Sequence, residues 1–422
     1  MKAMENRERG GARQYQGAAR MKGWQTKKLG DLVEVQNGYA FSSKDYSESG
    51  HFLMRIGNVQ NGYIYTADPK FIKLPSDGSL RRFVLSEDDI LVSLTGNVGR
   101  VGVIQESHLP AALNQRVARI SIRKDSPATR ELLLLFLCSD WFREELISAG
   151  HGAAQQNVST KDLVEIEIPV PPLAEQQRIV GLLDEAFEGL ATAKANAAKN
   201  LQNARALFES HLQSVFTHRG PGWVEKRLGE LCERITKGSS PKWQGISYVD
   251  APGILFVTSE NVGEYDILLE QPKYVEEKFN AKDKKSILKN GDVLTNIVGA
   301  SIGRTAVFDR DDVANINQAV CLIRCEPHLL NNYYLAYLLN SPVFKQVLHD
   351  NEVNNARANL SLGFFSQLPV PMPPIPKQKE IVAKLDAFRE ETQRLARLYE
   401  RKHAALEALK KSLLHQAFTG AL

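Results

Sequence analysis

A proline-containing segment followed by one long helical pattern occurs twice in this chain. The first copy runs from Pro171 to Phe216, and the second runs from Pro373 to Phe418, about 200 residues further along. Proline fixes the backbone angle φ and has no N–H to donate, so a helix cannot extend backwards through either segment. Each copy therefore predicts a stiff joint from which a long helix begins. The chain is expected to consist of two related halves.

Apolar residues recur at every third or fourth position of both helical patterns, which places them on one face of each helix. About 40 residues at 1.5 Å each make a helix of roughly 60 Å. Because such a helix needs a packing partner, we expect the two to pair as an antiparallel coiled coil with pseudo-two-fold symmetry. The alternative is that each helix packs only against its own globule. The two stripes are Ile179, Leu183, Ala186, Leu190, Ala193, Ala197, Leu201, Ala204 and Phe208, and Leu385, Phe388, Thr392, Leu395, Leu398, Ala405, Leu409 and Leu413.

Further landmarks return in the same order in the second half, which makes chance similarity a poor explanation. The pairs are Gly23-Trp24 and Gly222-Trp223, Asn58-Val59 and Asn261-Val262, the glycine-rich stretches 85–100 and 288–304, and Asn114-Gln115 and Asn317-Gln318. We therefore divide the chain into a flexible tail (1–21), a first globule (22–168), its joint and helix (169–220), a second globule (221–370), and its joint and helix (371–422).

Each globule combines strand patterns with helical patterns. Short β-branched stretches such as Val117 to Ile122 predict strands. Residues 130–149 and 332–350 predict helix pairs, broken near Ser139 and Ser341. Strands followed by helices predict an α+β fold in each half.

Composition limits the classes of protein more than it identifies one. The formal net charge of +4 suits an anionic partner but does not specify it. The four cysteines form no C-x-x-C motif, so we expect free thiols in a cytoplasmic protein, with neither a metal site nor disulfides. The longest apolar run, Leu132 to Cys138, is far shorter than the roughly 20 residues of a membrane span.

The search for catalytic motifs finds none. The glycine motif at Gly96, Gly99 and Gly102 is neither a Walker A loop nor the dinucleotide fingerprint. A tight structural turn and a close approach to a phosphate backbone are both open interpretations of it. No amino-methyltransferase, nuclease, zinc-protease or serine-hydrolase motif is present. No catalytic residue is therefore predicted.

Polar, aromatic and basic residues cluster in the irregular parts of both globules. Asn and Gln can bond adenine edges, and Arg and Lys can bond guanine edges or phosphates. Taken singly, each is more often a solvated surface residue. The candidate DNA contacts are Lys44, Asn58, Asn61, Tyr63, Arg81, Arg82, Asn97, Arg100, Gln155, Gln156 and Asn157 in the first half, and Lys237, Lys242, Trp243, Ser259, Asn261, Lys284, Lys285, Ser301, Arg304, Asn355 and Arg357 in the second.

These features together resemble the specificity subunit of type I restriction-modification systems. The residues that carry the resemblance are Trp24, Leu29-Gly30, the glycine turn, Asn114-Gln115, and the joint that runs from Ile168 to Gln176, with their repeats. The second joint departs from the family pattern because Lys377 stands where Glu175 stands in the first. We therefore expect the fold, but not identical partner contacts at the two joints.

The resemblance implies that each globule is a target recognition domain for one half of a bipartite DNA site. It implies that the helices set the spacing between the two half-sites and dock two modification (methyltransferase) subunits. Two restriction subunits can join this complex. S-adenosylmethionine, ATP and Mg would then belong to those partners, and this chain would be non-catalytic. The residues assigned to the spacer or to partner docking are Glu175, Gln176, Leu183, Leu190, Leu201, Gln378, Leu385, Leu395 and Leu409.

Two other functions remain open from the sequence. One is a protein scaffold without DNA specificity, and the other is a DNA-modifying enzyme whose motifs are not recognised. Site-specific, salt-dependent DNA binding would exclude the scaffold. Methylation or cleavage by the purified chain would favour the enzyme.

Overall fold

The computed structural model describes residues 22–150, 157–352 and 360–422. The predicted tail, residues 1–21, lies outside the described residues. The chain forms two compact units, of which unit 1 comprises residues 1–196 and 402–422 and unit 2 comprises residues 197–401. Each unit contains one globule, the first part of one long helix and the last part of the other.

Unit 1 is an α+β globule whose strands are short. Its strands are β1 (Gln25–Lys28), β2 (Val33–Asn37), β3 (Tyr46–Ser47), β4 (His51–Met54), β5 (Val59–Gln60), β6 (Tyr63–Ile64), β7 (Phe71–Ile72), β8 (Val84–Leu85), β9 (Ile90–Ser93), β10 (Val101–Val103), β11 (Ala111–Leu113), β12 (Val117–Ile122) and β13 (Glu167–Val170). Its helices are α1 (Leu29–Leu32), α2 (Arg130–Leu137), α3 (Asp140–Ala149), α4 (Thr160–Val164) and the start of the long helix α5 (Leu173–Thr217).

The strands of unit 1 form two larger sheets and two separate two-stranded pairs. One sheet has the order β10-β9-β12-β2 and the other has the order β3-β7-β4-β11-β8. Strand β1, at the start of the globule, pairs antiparallel with β13, which leads into the joint. The beginning and the end of the globule are therefore tied together where the long helix starts.

Unit 2 repeats this plan. Its strands are β14 (Val224–Arg227), β15 (Cys232–Lys237), β16 (Tyr248–Val249), β17 (Ile254–Val257), β18 (Tyr274–Val275), β19 (Asp292–Asn296), β20 (Thr305–Phe308), β21 (Ala314–Ile316), β22 (Val320–Cys325) and β23 (Pro369–Met372). Its helices are α6 (Lys278–Lys282), α7 (Asn332–Asn340), α8 (Pro342–Glu352), α9 (Leu362–Gln367) and the start of α10 (Ile375–Thr419). The sheet β15-β22-β19-β20 corresponds to β2-β12-β9-β10, and β14 pairs with β23 as β1 pairs with β13.

Side-chain caps explain why the helix pairs break where the sequence predicts. Thr129 and Ser139 accept hydrogen bonds from the backbone N–H groups of Leu132 and Phe142, and so begin α2 and α3. Asn331 begins α7 in the same way, by accepting from the N–H of Tyr334. The predicted α+β architecture, with its helix pairs and long helices, is confirmed.

The last turns of each long helix belong to the core of a unit. In unit 1, Phe418 packs edge-on against Phe136 at 5.2 Å between ring centroids. In unit 2, Phe216 packs against Tyr334 at 5.5 Å. Aromatic pairs at these distances add stabilisation beyond the burial of their area. The ends of α5 and α10 are thus structural parts of the globules rather than free ends.

Long-helix segments run antiparallel inside each unit. In unit 1, Lys194 pairs with Glu407, and the Lys410 ammonium lies 4.9 Å from the centre of the Phe187 ring. In unit 2, Arg205 pairs with Glu400 at 2.8 Å. The residue numbers rise along one helix as they fall along the other, which confirms the predicted antiparallel pairing within each unit.

The predicted stripe of α10 is wrong at three positions of its second half. Leu398, Ala405 and Leu409 are exposed, whereas Tyr399, His403 and Leu406 are half-buried. Steps of three or four residues from Leu395 reach either set of positions, so the helical period of 3.6 allows both. Hydrophobicity suggested the leucines, but the packing of the folded chain decides which set is half-buried.

Among the described residues, no helix is long and apolar enough to cross a membrane.

Candidate nucleic-acid interface

Two short 3₁₀ turns recur at equivalent places in each unit. The first, which we call the loop turn, is Ser43–Asp45 in unit 1 and Lys242–Gln244 in unit 2. The second, which we call the basic turn, is Arg81–Phe83 in unit 1 and Lys284–Ser286 in unit 2. The basic pairs Arg81-Arg82 and Lys284-Lys285 therefore occupy equivalent turns and are exposed in both units.

Aromatic contacts connect the segment before the loop turn of unit 1 to its basic turn. Tyr39, on the segment that leads to the loop turn, lies 5.4 Å from Phe83 of the basic turn, measured between ring centroids. The Arg82 guanidinium lies over the Phe83 ring at 4.7 Å. This cation–π contact orients the arginine while leaving it exposed.

Polar contacts connect the turns of unit 2 instead. The Lys282 ammonium donates to the backbone carbonyl of Gln244 at 2.8 Å. The Ser239 hydroxyl donates to the Asp283 carboxylate at 2.5 Å, directly before the lysine pair. The same juxtaposition of turns is thus built from different chemistry in the two units.

A close backbone approach places the segment before each loop turn. A Cβ on Gly38 would lie 2.1 Å from the carbonyl oxygen of Asn114, and one on Gly238 would lie 1.8 Å from that of Ile316. No other residue fits at these distances. The repeated Asn-Gln turns therefore support the segments that carry the exposed aromatic residues.

Most of the predicted contact residues are exposed, but they are not all equivalent. In unit 1, Lys44, Asn61, Tyr63, Arg81, Arg82, Asn97 and Asn157 are exposed and Arg100 is half-buried. In unit 2, Lys242, Trp243, Lys284, Lys285 and Arg304 are exposed and Lys237, Ser259 and Ser301 are half-buried. Gln155, Gln156, Asn355 and Arg357 lie outside the described residues.

Asn58 and Asn261 do not face solvent. The Asn58 side chain accepts from the backbone N–H of Arg55 at 3.0 Å and donates to the carbonyl of Tyr65 at 2.9 Å. Asn261 makes the equivalent bonds to Thr258 and Leu268, both at 2.9 Å. These buried amides close a turn in each unit, so in this fold they are not placed to bond base edges.

The glycine motif forms a tight turn between β9 and β10. Gly96 and Gly99 have φ angles of 68° and 78°, in the left-handed region that glycine adopts most readily. The Ser93 hydroxyl accepts from the backbone N–H of Arg100 at 3.0 Å, and the Arg100 guanidinium donates to Gln60 at 2.6 Å. A tight structural turn therefore accounts for the glycines, and the Arg100 guanidinium is already bonded to Gln60.

Several exposed aromatic residues were not among the predicted contacts. They are Tyr39, Tyr65, Tyr248 and Tyr333. Tyr248 begins β16 as Tyr46 begins β3, so the internal repeat is a signal that could have identified it.

The joint glutamines are buried within their own units. Gln176 and Gln378 are 1% and 0% exposed. Their amide groups bond backbone atoms of the joint and of the segment before a helix. These two residues therefore hold the joint and do not present a docking surface in this chain.

The first turns of α5 and α10 carry the same ion pair with the charges exchanged. Glu175 pairs with Arg178 at 2.7 Å, and Lys377 pairs with Glu380 at 2.9 Å. Lys384 and Lys377 donate hydrogen bonds to Glu380, which lowers the pKa of this carboxyl to about 2. Lys377 stands where Glu175 stands in the first joint, and Glu380, three residues later, restores an ion pair.

The remaining residues assigned to the spacer differ in burial. Leu183 and Leu385 are buried, Leu190, Leu201 and Leu395 are half-buried, and Leu409 is exposed. The buried pair lies in the cores of units 1 and 2, respectively.

Unit 2 also contains a cavity of about 580 Å³ between its globule and its helix segments. Phe208, Tyr265 and Arg389 line it. Arg389 pairs with Asp266 and lies over the Tyr265 ring at 4.8 Å, and Lys345 pairs with Glu264 at the rim. Both of these cations of the lining are therefore already paired within unit 2.

Two α+β units of one plan, each with an exposed basic pair beside an aromatic loop and each tied to a long helix, define a tandem recognition protein. The chain belongs to the family of the type I restriction modification DNA specificity domain, whose model matches residues 21–200 and again residues 221–400. The duplication seen in the sequence and in the structure is therefore a duplication of this domain.

Known relatives agree with this assignment. The chain is 24% identical to the type I restriction enzyme EcoBI specificity subunit of Escherichia coli, over 94% of this chain and 86% of the relative. It is 21% identical to the StySPI specificity subunit of Salmonella potsdam, over 95% of this chain and 89% of the relative.

Solved structures share the fold. A chain solved in work on complex assembly and conformational transition of the type I R-M system matches with a TM-score of 0.76 at 22% identity, over 95% of this chain and 99% of that chain. The HsdS subunit from Thermoanaerobacter tengcongensis matches with a TM-score of 0.57 at 22% identity, over 95% and 98%.

Proposed function

We propose that this chain is the sequence-specific DNA-binding subunit of a type I restriction-modification complex, and that each unit reads one half of a bipartite site. The observation that carries the proposal is the equivalent placement of Arg81-Arg82 and Lys284-Lys285, each beside a loop with exposed aromatic residues. Cations on such turns bind phosphates and hold the protein in register on a duplex. Two such surfaces in one chain suit two half-sites.

The two surfaces differ where specificity requires a difference. The loop turn carries Lys44 in unit 1 and Trp243 in unit 2, and the basic turns carry arginines in one unit and lysines in the other. Arginine bonds guanine edges and phosphates in pairs of hydrogen bonds, whereas lysine acts as a point charge. The half-sites read by the two units are therefore expected to differ in sequence.

The long helices set the distance between the half-sites in this proposal and provide the surface for partners. Exposed apolar side chains such as Leu173, Leu182 and Leu409 suit a protein partner on the outer helix faces. The partners are two modification (methyltransferase) subunits, with two restriction subunits where the system includes them. These partners supply the chemistry of S-adenosylmethionine, ATP and Mg. This chain contributes DNA recognition and no catalysis, and the complex acts in the cytoplasm.

The test exchanges one recognition unit. Residues 22–168 are replaced by those of a relative, while residues 402–422 are retained because Phe418 packs against Phe136. Methylated sites are then sequenced in a host that carries the modification subunit. We expect one half of the site to change and the other to stay the same. A change in both halves, or in neither, would contradict one reader per half-site.

Two further measurements separate this function from its alternatives. The purified chain alone should neither methylate nor cleave DNA, since activity without partners would indicate an enzyme. Binding of the complex to its site should weaken steeply as salt rises, because each phosphate contact releases counterions. A complex without site-specific binding would indicate a scaffold.

A further inference from the structure

Trp243 is the most exposed large hydrophobic side chain of unit 2, with 83% of its surface accessible. Tryptophan is costly to leave in water, and exposed aromatic groups commonly mark interaction surfaces. Tyr39 on the corresponding segment of unit 1 is 41% exposed, because it packs against Phe41 and Phe83. The described part of unit 2 provides no such aromatic neighbour for Trp243.

The turn that carries Trp243 is held rigidly. The N–H groups of Gly245 and Ile246 bond back to the carbonyls of Lys242 and Pro241 at 3.2 and 3.0 Å. Gly245 has a φ of 66°, a left-handed conformation that ends the turn. The indole is therefore presented on a closed, preorganised turn.

A series of side-chain hydrogen bonds anchors this turn to the core of unit 2. The Gln244 amide donates to the Ser239 hydroxyl, which in turn donates to the buried Asp283 carboxylate. Lys282 donates to the Gln244 carbonyl. A preordered turn loses little conformational entropy when its aromatic side chain is bound.

The charges around Trp243 favour a polyanion over a protein as its partner. Lys242, Lys284 and Lys285 are exposed, and among the described residues none of them forms an ion pair. Asp283, directly before the lysine pair, is buried and satisfied by Ser239. Lys242 beside Trp243 and the lysine pair on the neighbouring basic turn suit phosphates on either side of a base.

We propose that the Trp243 indole inserts against the face of a base in the half-site read by unit 2, while Lys242 and the lysine pair bind the flanking phosphates. This inference rests on the proposed function and adds a stacking contact to it. Apolar side chains that enter a base step partly unstack it and kink the duplex, and stacking on an aromatic ring tolerates different bases. Unit 1 carries Lys44 at the corresponding position and makes no such insertion.

The experiment uses the complete complex with its modification subunits, bound to a duplex in which 2-aminopurine replaces single bases of the unit 2 half-site. Insertion should raise 2-aminopurine fluorescence at one step. Trp243→Ala should abolish that signal and weaken binding roughly 5- to 150-fold, which corresponds to the loss of one base–aromatic stack. Trp243→Phe should retain most of the signal.

Matched variants separate stacking from charge and from folding. Lys242→Ala should lower the slope of log affinity against log salt by about one and keep the fluorescence change. Tyr333→Ala, at an exposed aromatic of unit 2 outside both turns, should leave the signal unchanged. The thermal midpoint of Trp243→Ala should equal that of the parent chain, since the side chain is exposed.

Three results would overturn the inference. One is site-specific binding with no fluorescence change at any position. A second is unchanged affinity and fluorescence in Trp243→Ala. The third is weaker association of Trp243→Ala with the modification subunit and unaltered DNA contacts, which would make the partner a protein. If the parent complex shows no site-specific binding at all, the proposed function itself fails, and this outcome is distinct from the other three.

Discussion

The Gln176 side-chain oxygen accepts a hydrogen bond from the backbone N–H of Thr129 at 2.8 Å. Its amide nitrogen donates to the carbonyls of Pro127 and Pro171 at 2.7 and 2.8 Å. One buried side chain thus connects the proline joint to the residue that caps α2. The angle at which α5 leaves its globule is fixed by this connection.

Gln378 makes the same three bonds in unit 2. Its oxygen accepts from the N–H of Asn331 at 2.8 Å, and its nitrogen donates to the carbonyls of Leu329 and Pro373 at 3.1 and 2.9 Å. Asn331 caps α7 as Thr129 caps α2. The joint is therefore a repeated structural device.

Replacing Gln176 by Ala should lower the free energy of unfolding by about 1–3 kcal/mol, because it leaves buried backbone groups without a partner. Gln177→Ala is the matched control, since Gln177 is exposed beside it. Chemical denaturation of both variants measures the difference. Equal stability of the two would show that the joint does not depend on these bonds.

Removing the charge of Asp292 should destabilise unit 2 strongly. Asp292 is buried and accepts two hydrogen bonds from Arg324, both at 2.7 Å, which raise the pKa of the arginine. Asp292→Asn leaves a buried guanidinium with only the more distant Glu233, 3.9 Å away, as counter-charge, at a cost of about 3–5 kcal/mol. The control is Asp89→Asn in unit 1, where the pair with Arg119 is longer, at 3.4 Å, and more exposed. A larger loss at Asp89 would contradict this expectation.

Asn58→Ala and Asn261→Ala should reduce stability rather than change the recognised sequence. Asn58→Ala removes two hydrogen bonds inside a turn and Asn261→Ala removes three, so we expect a loss of about 1–3 kcal/mol in each variant. Denaturation measures the stability, and sequencing of methylated sites measures the specificity. An altered site with unaltered stability would restore these residues as base contacts.

The pKa of Glu380 is lowered to about 2, chiefly by the hydrogen bond from Lys384 and then by that from Lys377. The unfolded carboxyl has a pKa of about 4.3. The folded state binds its proton more weakly, so the contribution of this cluster to stability is present above about pH 4.3 and disappears as pH falls towards 2. Its size is small because the cluster is exposed.

Titration of the Glu380 carboxyl by NMR checks this prediction. Lys384→Ala should raise its pKa more than Lys377→Ala does, in keeping with the order of the two contributions. An unperturbed pKa in the parent chain, or the reverse order of the variants, would show that the ion-pair cluster does not form.

Lengthening both long helices by one turn should lengthen the spacer of the DNA site. Insertions after Ala198 and after Arg401 retain the Lys194–Glu407 and Arg205–Glu400 pairs. One turn adds about 5.4 Å, which corresponds to one or two base pairs at roughly 3.4 Å per step. Sequencing of methylated sites gives the spacer length, and an unchanged spacer would show that the helices do not set it.

Local patterns predicted much of the fold. Proline segments, helical periodicity and β-branched runs reflect short-range physics, so the joints, the long helices and strands such as Val117–Ile122 follow from them. The pairing of β1 with β13 has no local signal and was not predicted. The same limit explains Leu398 and Leu409, where side-chain hydrophobicity favoured positions that the packing of α10 leaves exposed.

The contact residues were harder to predict because the chemistry of a side chain does not report its environment. Asn58 and Asn97 are both asparagines in turns, yet Asn58 is buried and bonds the backbone of its turn, whereas Asn97 is exposed. The sequence alone cannot separate them, since an amide serves equally well for either purpose. Trp243 was predicted as a DNA contact and is exposed, whereas Tyr248 was not predicted, although it begins β16 as Tyr46 begins β3.

By itself the sequence determined that this protein is a duplication, that each half is α+β, and that a proline joint starts each long helix. These properties depend on composition and spacing along the chain. Only the tertiary structure decided that Gln176 and Gln378 lock the joints, that Phe418 completes the core around Phe136, and that the basic pairs share one position in both units. Each of these depends on residues that are distant in sequence, and only the packing of the folded chain brings them together.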